Sequence, residues 1–207
     1  MNNPWEEISL DDYEKHMALD SVKQLGALSE LMKGQLGYDA ESVMILGIAG
    51  GNGLEHIDSG KYRTVYGVDI NERYLDAVRE RYKGLSGILR CIRADLLTET
   101  DKLPRAQLLI ADLLIEYIGC DAFKKVVRQV RPEYVSCVIQ VNRNEGGWVS
   151  DSPYIHAFDR LDEVHHNVER DALAAAMDET GYTAVYDTSV SLTNGKALAR
   201  FDFKKRN

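Results

Sequence analysis

The chain has 207 residues, 44% of them hydrophobic, and 33 acidic against 25 basic side chains give a formal net charge of −8. That size and apolar content suit a single domain with a full core, residues 1–41 forming a helical cap and 42–207 the main body, and the acidic balance argues against nucleic-acid or anionic-membrane partners, which require clustered lysine and arginine. Cys91, Cys120 and Cys137 are scattered without C-x-x-C spacing, so neither a disulfide framework nor a zinc site is indicated.

The opening stretch, MNNPWEEISLDDYEKH, is acidic and polar where a secretory signal would be basic and then apolar. No apolar run approaches the ~18 residues of a membrane span, so a cytoplasmic protein is expected. Ser9 with Asp12 three residues on starts a helix from about Leu10 to Gly34, interrupted near Asp20, with Gly34 and Gly37 closing it. Residues 43–57, VMILGIAGGNGLEHI, then read as strand, tight turn and helix. Gly50, Gly51 and Gly53 remove side chains from the turn, so that the backbone can take positive φ and a nucleotide-like ligand can lie against it and the helix N–H groups beyond. The plain alternative is a strand-to-helix turn that needs glycines. The dinucleotide pattern G-x-G-x-x-G has spacings these glycines do not supply, and no Lys-Ser or Lys-Thr follows them to make a phosphate-binding loop.

The same residues resemble the first motif of the class I S-adenosylmethionine (SAM) methyltransferases, an acidic residue followed by x-G-x-G-x-G. In that alignment Gly47 stands at the acidic position, Ala49 at the first glycine, and Gly51 and Gly53 at the other two. The resemblance implies a Rossmann-like α/β fold, a three-layer sandwich on a seven-stranded, mostly parallel sheet ending in an antiparallel hairpin. It further implies SAM as cofactor, with S-adenosylhomocysteine as product, and a cofactor contact at Ala49, Gly50, Gly51 and Gly53.

Downstream, TVYGVD at residues 64–69 forms the next strand and ends in Asp69-Ile70 before a helix with Asn71 as its N-cap. An acid there, about twenty residues after the glycines, is placed to accept from two ribose hydroxyls, with Ile70 against the base; the alternative is a loop or capping carboxylate. A third strand, Gly87 to Ala94, ends at Asp95-Leu96, where the family reads the adenine edge. A fourth, Gln107 to Ala111, leads into DLLIEYIG, where the family places the methionine end of the cofactor. Asp112 and Leu113 would line it there, with Tyr117 toward the substrate. Glu116 and Tyr117 read equally well as helix-surface residues.

A helix through Phe123, Val126, Val127 and Val130 precedes a fifth buried strand, Tyr134 to Val141. Periodicity then stops from Asn142 to His166, a stretch carrying Gly146, Gly147, Trp148, Tyr154 and Phe158 beyond the carboxyl end of a strand. It is read as a substrate lid, with a plain linker as the competing reading. In the resembled family a leading helix also covers the cofactor, which adds Tyr13 and His16 to Tyr117, Trp148 and Tyr154 as substrate candidates. His16 falls on the polar, solvated side of its helix. His156, His165 and His166 lack the spacing of a metal site, so no metal is expected. A helix from about Asn167 to Glu179 and an Asn194-Gly195 hairpin complete the chain.

These features together predict a methyltransferase acting on a small-molecule substrate, as a monomer or homodimer. No catalytic residue is assigned, because aligning an acceptor with an electrophilic methyl supplies most of the rate. The rival readings are a SAM-fold binding protein without transferase activity and an NAD-dependent reductase.

Overall fold

The structure, a computed structural model, describes residues 3–142 and 148–206; Gly146 and Gly147 of the expected lid lie outside the described residues. Seven strands, β1 (Ser42–Leu46), β2 (Thr64–Asp69), β3 (Leu89–Arg93), β4 (Leu108–Asp112), β5 (Tyr134–Asn142), β6 (Tyr182–Ser191) and β7 (Lys196–Lys205), form one sheet in the order β3-β2-β1-β4-β5-β7-β6. The first five run parallel, while β7 is antiparallel to both β5 and β6. This is the seven-stranded, mostly parallel sheet with a terminal hairpin that the resemblance implied.

The near-continuous apolar strands bury both faces, as parallel sheets do. Val43 and Ile45 of β1 with Leu108 and Ile110 of β4 meet α2 (Gln24–Gln35) and α3 (Glu72–Arg81) through Met32, Leu36, Leu75 and Val78. Met44, Leu46, Leu109 and Ala111, the alternate residues, meet α4 (Ile115–Val130) and α5 (Arg170–Glu179) through Phe123, Val126, Leu173 and Met177. The leading helix is broken as its sequence suggests: α1 (Leu10–Ala18) is capped by Ser9 Oγ accepting from the Asp12 N–H at 3.1 Å, and α2 begins after Lys23.

A buried ion pair anchors this cap to the sheet. On β7 the Arg200 guanidinium Nε donates to both Asp202 oxygens at 2.9 and 3.1 Å, Tyr38 Oη donates to Asp202 Oδ2 at 2.7 Å, and Ser136 Oγ also donates to Asp202. Such close passage of Arg200 beneath α2 requires Gly34, where a Cβ would stand 2.5 Å from Arg200 Nη1.

The helix expected after the glycines does not form. Only a 3-10 turn, Leu54–His56, follows β1, because Gly53 sits at φ 93° and Asp58 Oδ1 accepts from the Gly60 N–H at 2.7 Å to make a turn of its own. There is consequently no run of helical N–H groups behind the glycine loop to face a ligand.

Candidate functional site

The carboxyl ends of β1, β2 and β4 open on one cleft of about 690 Å3, the open solvent at its mouth included. Its floor is strained backbone. Ala49 at φ 46° and Leu113 at φ 52° are both left-handed without being glycine, and both line the cleft. Strain of this kind persists where the surrounding structure over-determines it. Here the Ala49 N–H donates to Asp69 Oδ2 at 2.9 Å and the Leu113 N–H to the Val138 carbonyl at 2.8 Å.

Asp69 ties the cleft together. Its Oδ1 accepts from the Asn71 N–H at 2.9 Å, so one carboxylate joins the β1 loop to the start of α3. Burial pushes its carboxyl up to about 6, against the pull of these backbone donors. Ile70, Ala94, Asp95, Leu96 and Leu97 form the adjoining wall. Asp95 does two things at once: it faces the cleft and caps its own turn, with Oδ1 accepting from the Leu97 N–H at 2.9 Å and Oδ2 from Thr98 Oγ1 at 3.2 Å.

The glycines behave differently from expectation. Of the loop residues, Gly47 and Ala49 line the cleft, while Gly50, Gly51 and Gly53 do not. The space that a Cβ would need at these three is taken by the protein itself: Glu14 and Arg81 over Gly50, the Tyr82 ring 2.6 Å from the Gly51 position, and Met32 Sδ 2.5 Å from that of Gly53. Glu14 and Arg81 pair across the loop, with Arg81 Nη2 donating to Glu14 Oε2 at 2.9 Å. Gly47 has its own reason to lack a side chain. It sits at φ 63° with Leu114 Cδ1 3.1 Å from where its Cβ would be.

At the β4 end two carboxyl groups are buried four residues apart. Gln35 Nε2 donates to Asp112 Oδ1 at 2.7 Å, and the Gln140 N–H donates to Glu116 Oε1 at 2.8 Å. Asp112 Oδ2, Glu116 Oε2 and Gln35 Oε1 are buried without a partner among the described residues. Burial holds both carboxyls far above the usual range, at about 7 in each case. The reading of Glu116 as a helix-surface residue is overturned, since it is 6% exposed.

A roof of rings covers the cleft. Trp5 meets Tyr13 and Tyr117 edge-on, with centroids 5.8 and 4.8 Å apart, and Tyr13 lies over Tyr74 at 6.5 Å. The N-terminal segment is held down by Asn71 Nδ2 donating to the Trp5 carbonyl and Tyr74 Oη to that of Ile8, both at 3.0 Å. Trp5, Tyr13, Leu113 and Tyr117 also border a second hollow of about 580 Å3, the open solvent at its mouth included, whose lining also contains His16, Gln24, Glu116, Gln140, Trp148, Phe158 and His165. Four of the five substrate candidates, Tyr13, His16, Tyr117 and Trp148, thus meet there. Tyr154 does not: it packs with Ile8, Phe158 and Leu161 in the satellite core. His16 is buried rather than solvated, because Ser152 and Phe158 lie over it; its Nδ1 is 2.8 Å from Ser152 Oγ and its ring 4.7 Å from that of Phe158.

The sequence reading missed Trp5, Gln24, Gln35 and Gln140, and it weighed His165 only as a metal ligand. Nothing in periodicity distinguishes a polar residue at a buried helix end from one in solvent, and a tryptophan five residues into the chain carries no pattern. Among the described residues no group of three His, Cys, Asp or Glu side chains could hold a metal ion, and no helix is long and apolar enough to cross a membrane.

The sequence matches no protein-family model and no curated protein. Solved structures do resemble it. Magnesium protoporphyrin IX methyltransferase from Synechocystis PCC 6803, with bound SAM, superposes with a TM-score of 0.61 at 8% identity over 93% of this chain and 83% of that one. The N-methyltransferase NodS from Bradyrhizobium japonicum WM9 gives 0.61 at 14% identity over 87% and 96%, and the [4+2]-cyclase SpnF gives 0.65 at 12% over 86% and 80%. A cyclase among these neighbours illustrates that one fold carries several chemistries. Strand order, the antiparallel seventh strand and these superpositions together give the chain the Rossmann-like fold of the class I SAM-dependent methyltransferases.

Proposed function

We propose that the cleft at the ends of β1, β2 and β4 binds SAM and that the protein is a methyltransferase whose small-molecule acceptor sits in the second hollow. The observation that carries this reading is the unpartnered buried Asp112 Oδ2 on a side chain that lines the cleft, where Asp112 Oδ1 accepts from Gln35 Nε2 and the Gln35 Oε1 likewise lacks a partner among the described residues. A buried acceptor without a donor costs about 1–3 kcal/mol, more when charged, so a ligand bringing several N–H groups on a cation gains that back on binding. The α-ammonium of SAM is such a group. Asp112 then provides from β4 the carboxylate that Gly47 leaves out of the first motif.

The remaining walls suit the rest of the cofactor. Asp69 has a free lone pair on each oxygen beyond its backbone donors, which favours vicinal ribose hydroxyls, and Ile70, Leu96 and Asp95 offer apolar faces and an acceptor to an adenine. SAM when bound supplies an electrophilic methyl on a positively charged sulfur. The protein's share is to hold the two partners in line and to exclude water, and Trp5, Tyr13 and Tyr117, common to both hollows, are placed to do so.

Titration calorimetry with SAM, S-adenosylhomocysteine and NADH tests the reading. Binding of the first two and not the third supports it; NADH binding alone would establish the reductase instead. Retention of methyl-labelled SAM without transfer to any acceptor would leave a binding protein on a methyltransferase fold.

A further inference from the structure

Resting on the methyltransferase reading, we infer that Glu116 is the residue that receives the acceptor, its Oε2 taking the N–H or O–H of an amine or hydroxyl carried on a planar ring lying in the second hollow. Glu116 is 6% exposed, and its Oε1 is engaged by the Gln140 N–H. Oε2 has no partner among the described residues, and the side chain lines the hollow. The neighbouring amide cannot serve in its place. Gln140 Oε1 already accepts from Gln24 Nε2 at 2.6 Å, and its Nε2 donates to Asn142 Oδ1 and to the Trp148 carbonyl at 3.0 and 2.8 Å.

The walls specify the shape of the guest. Trp148 lies flat on His165, with centroids 4.0 Å apart and planes 13° from parallel, and Tyr117 stands edge-on to both at 6.1 and 5.9 Å. Flat aromatic faces around one unpartnered carboxylate oxygen suit a flat ring with a hydrogen-bond donor, because the ring gains stacking while its donor satisfies the buried oxygen. A carboxylated ring would set two anions together in a dry site. Trp5, Tyr13, Leu113 and Tyr117 border both hollows, so a ring in the second lies against side chains that also wall the cofactor cleft.

The chemistry balances without another reactant. As the acceptor nitrogen or oxygen bonds to the methyl carbon, the carbon–sulfur bond breaks with its electron pair remaining on sulfur, and the acceptor proton passes to the ionised Glu116 Oε2. Burial brings the carboxyl to about 7, near the acidity at which a group both takes and releases a proton in neutral solution.

The test uses the whole chain with S-adenosylhomocysteine present and reads benzylamine, phenol and benzoate by ligand-observed NMR. Benzylamine or phenol should bind and benzoate should not; whichever binds better identifies nitrogen or oxygen as the acceptor atom. In Glu116→Gln an amide can keep the Gln140 contact while placing a donor where Oε2 was, so the favoured fragment should weaken about tenfold or more, with SAM affinity by calorimetry unchanged. Trp148→Ala, at a half-buried surface position, should weaken all ring fragments. Equal fragment binding by Glu116→Gln and the parent, or no binding of benzylamine and phenol to the parent, overturns the inference while leaving SAM binding intact. Glu116-dependent fragment binding in a protein that does not bind SAM would instead uphold the subsite and overturn the methyl-donor reading.

Discussion

Gln35, at the end of α2, donates its side-chain amide to Asp112 at the end of β4 across 2.7 Å, linking the helical cap to the sheet beside the unpartnered Asp112 Oδ2 of the cleft wall. Stability and ligand binding meet at this contact. Asp112→Asn removes a carboxylate whose charge burial disfavours and which the bound cation would pair with. The variant should bind SAM more weakly by about 1.5–3 kcal/mol, the range for charge-assisted hydrogen bonds, yet melt at a higher temperature than the parent at pH 8 without ligand. Calorimetry and thermal denaturation on the same preparation check both halves; a variant less stable than the parent would mean that the Asp112 carboxylate is compensated by the fold.

Asp69→Ala is expected to damage the fold as well as binding. Both oxygens accept backbone N–H groups, from Ala49 and Asn71, and truncation strands them in a buried place. At about 1–3 kcal/mol for each orphaned donor, a loss of roughly 2–4 kcal/mol follows after partial hydration. The sequence alone suggests a clean binding mutant, because it shows the acid and not its donors. Denaturant unfolding with and without SAM separates the two effects.

Restoring the motif's usual acid should fail. Gly47→Asp forces a side chain into φ 63° and against Leu114, so it should destabilise the protein by at least about 1–2 kcal/mol and add nothing to SAM affinity. Ala49→Gly works the other way. It relieves a left-handed alanine, and the gain offsets the usual entropic cost of glycine, so the exchange should be neutral or stabilising by up to about 1 kcal/mol. Chemical denaturation midpoints decide both.

Ligand-free stability should fall as pH rises from 5 to 8. Asp69, Asp112 and Glu116 have folded values near 6, 7 and 7 against ordinary values near 4, so over this window the folded state binds more protons than the unfolded. Their contribution is full below about pH 4 and is lost as pH climbs through 6 to 7. His16 and His165, which burial holds below the usual histidine range, act in the opposite sense up to about pH 6.5. The carboxyl shifts are larger, and a drop in Tm of about 5 °C or more is expected. Melting curves of Asp112→Asn and Glu116→Gln should each be flatter than the parent's.

Much of the architecture was legible because it rests on local chemistry. Apolar runs gave β1, β4 and β5, Asn71 accepts from the Arg73 N–H as an N-cap should, and Gly181 at φ 88° ends α5. The glycine loop was legible as a turn and misleading as a cradle. Its spacing is consistent with ligand approach and equally with the packing of Tyr82 and Met32, and only coordinates distinguish them. Asp69, Asp95 and Asp112 could be placed because they terminate strands. Glu116, Gln35 and Gln140 could not, since what makes them notable is burial beside one another, a property of distant segments meeting in space.

The break at Gly119 gives the site a separate life from the core. At φ 72° and ψ 160° it interrupts α4, and the Glu116 carbonyl accepts from the His166 N–H at 2.6 Å instead of closing a helical turn. Residues 120–130 pack the sheet through Phe123, Val126, Val127 and Val130, while residues 115–118 form a short turn of their own beneath the aromatic roof. Substitutions at 116 and 117 therefore do not propagate into the body of the helix. Guest preference can drift, or be redesigned, by changing two side chains on a pivot whose far side never has to repack.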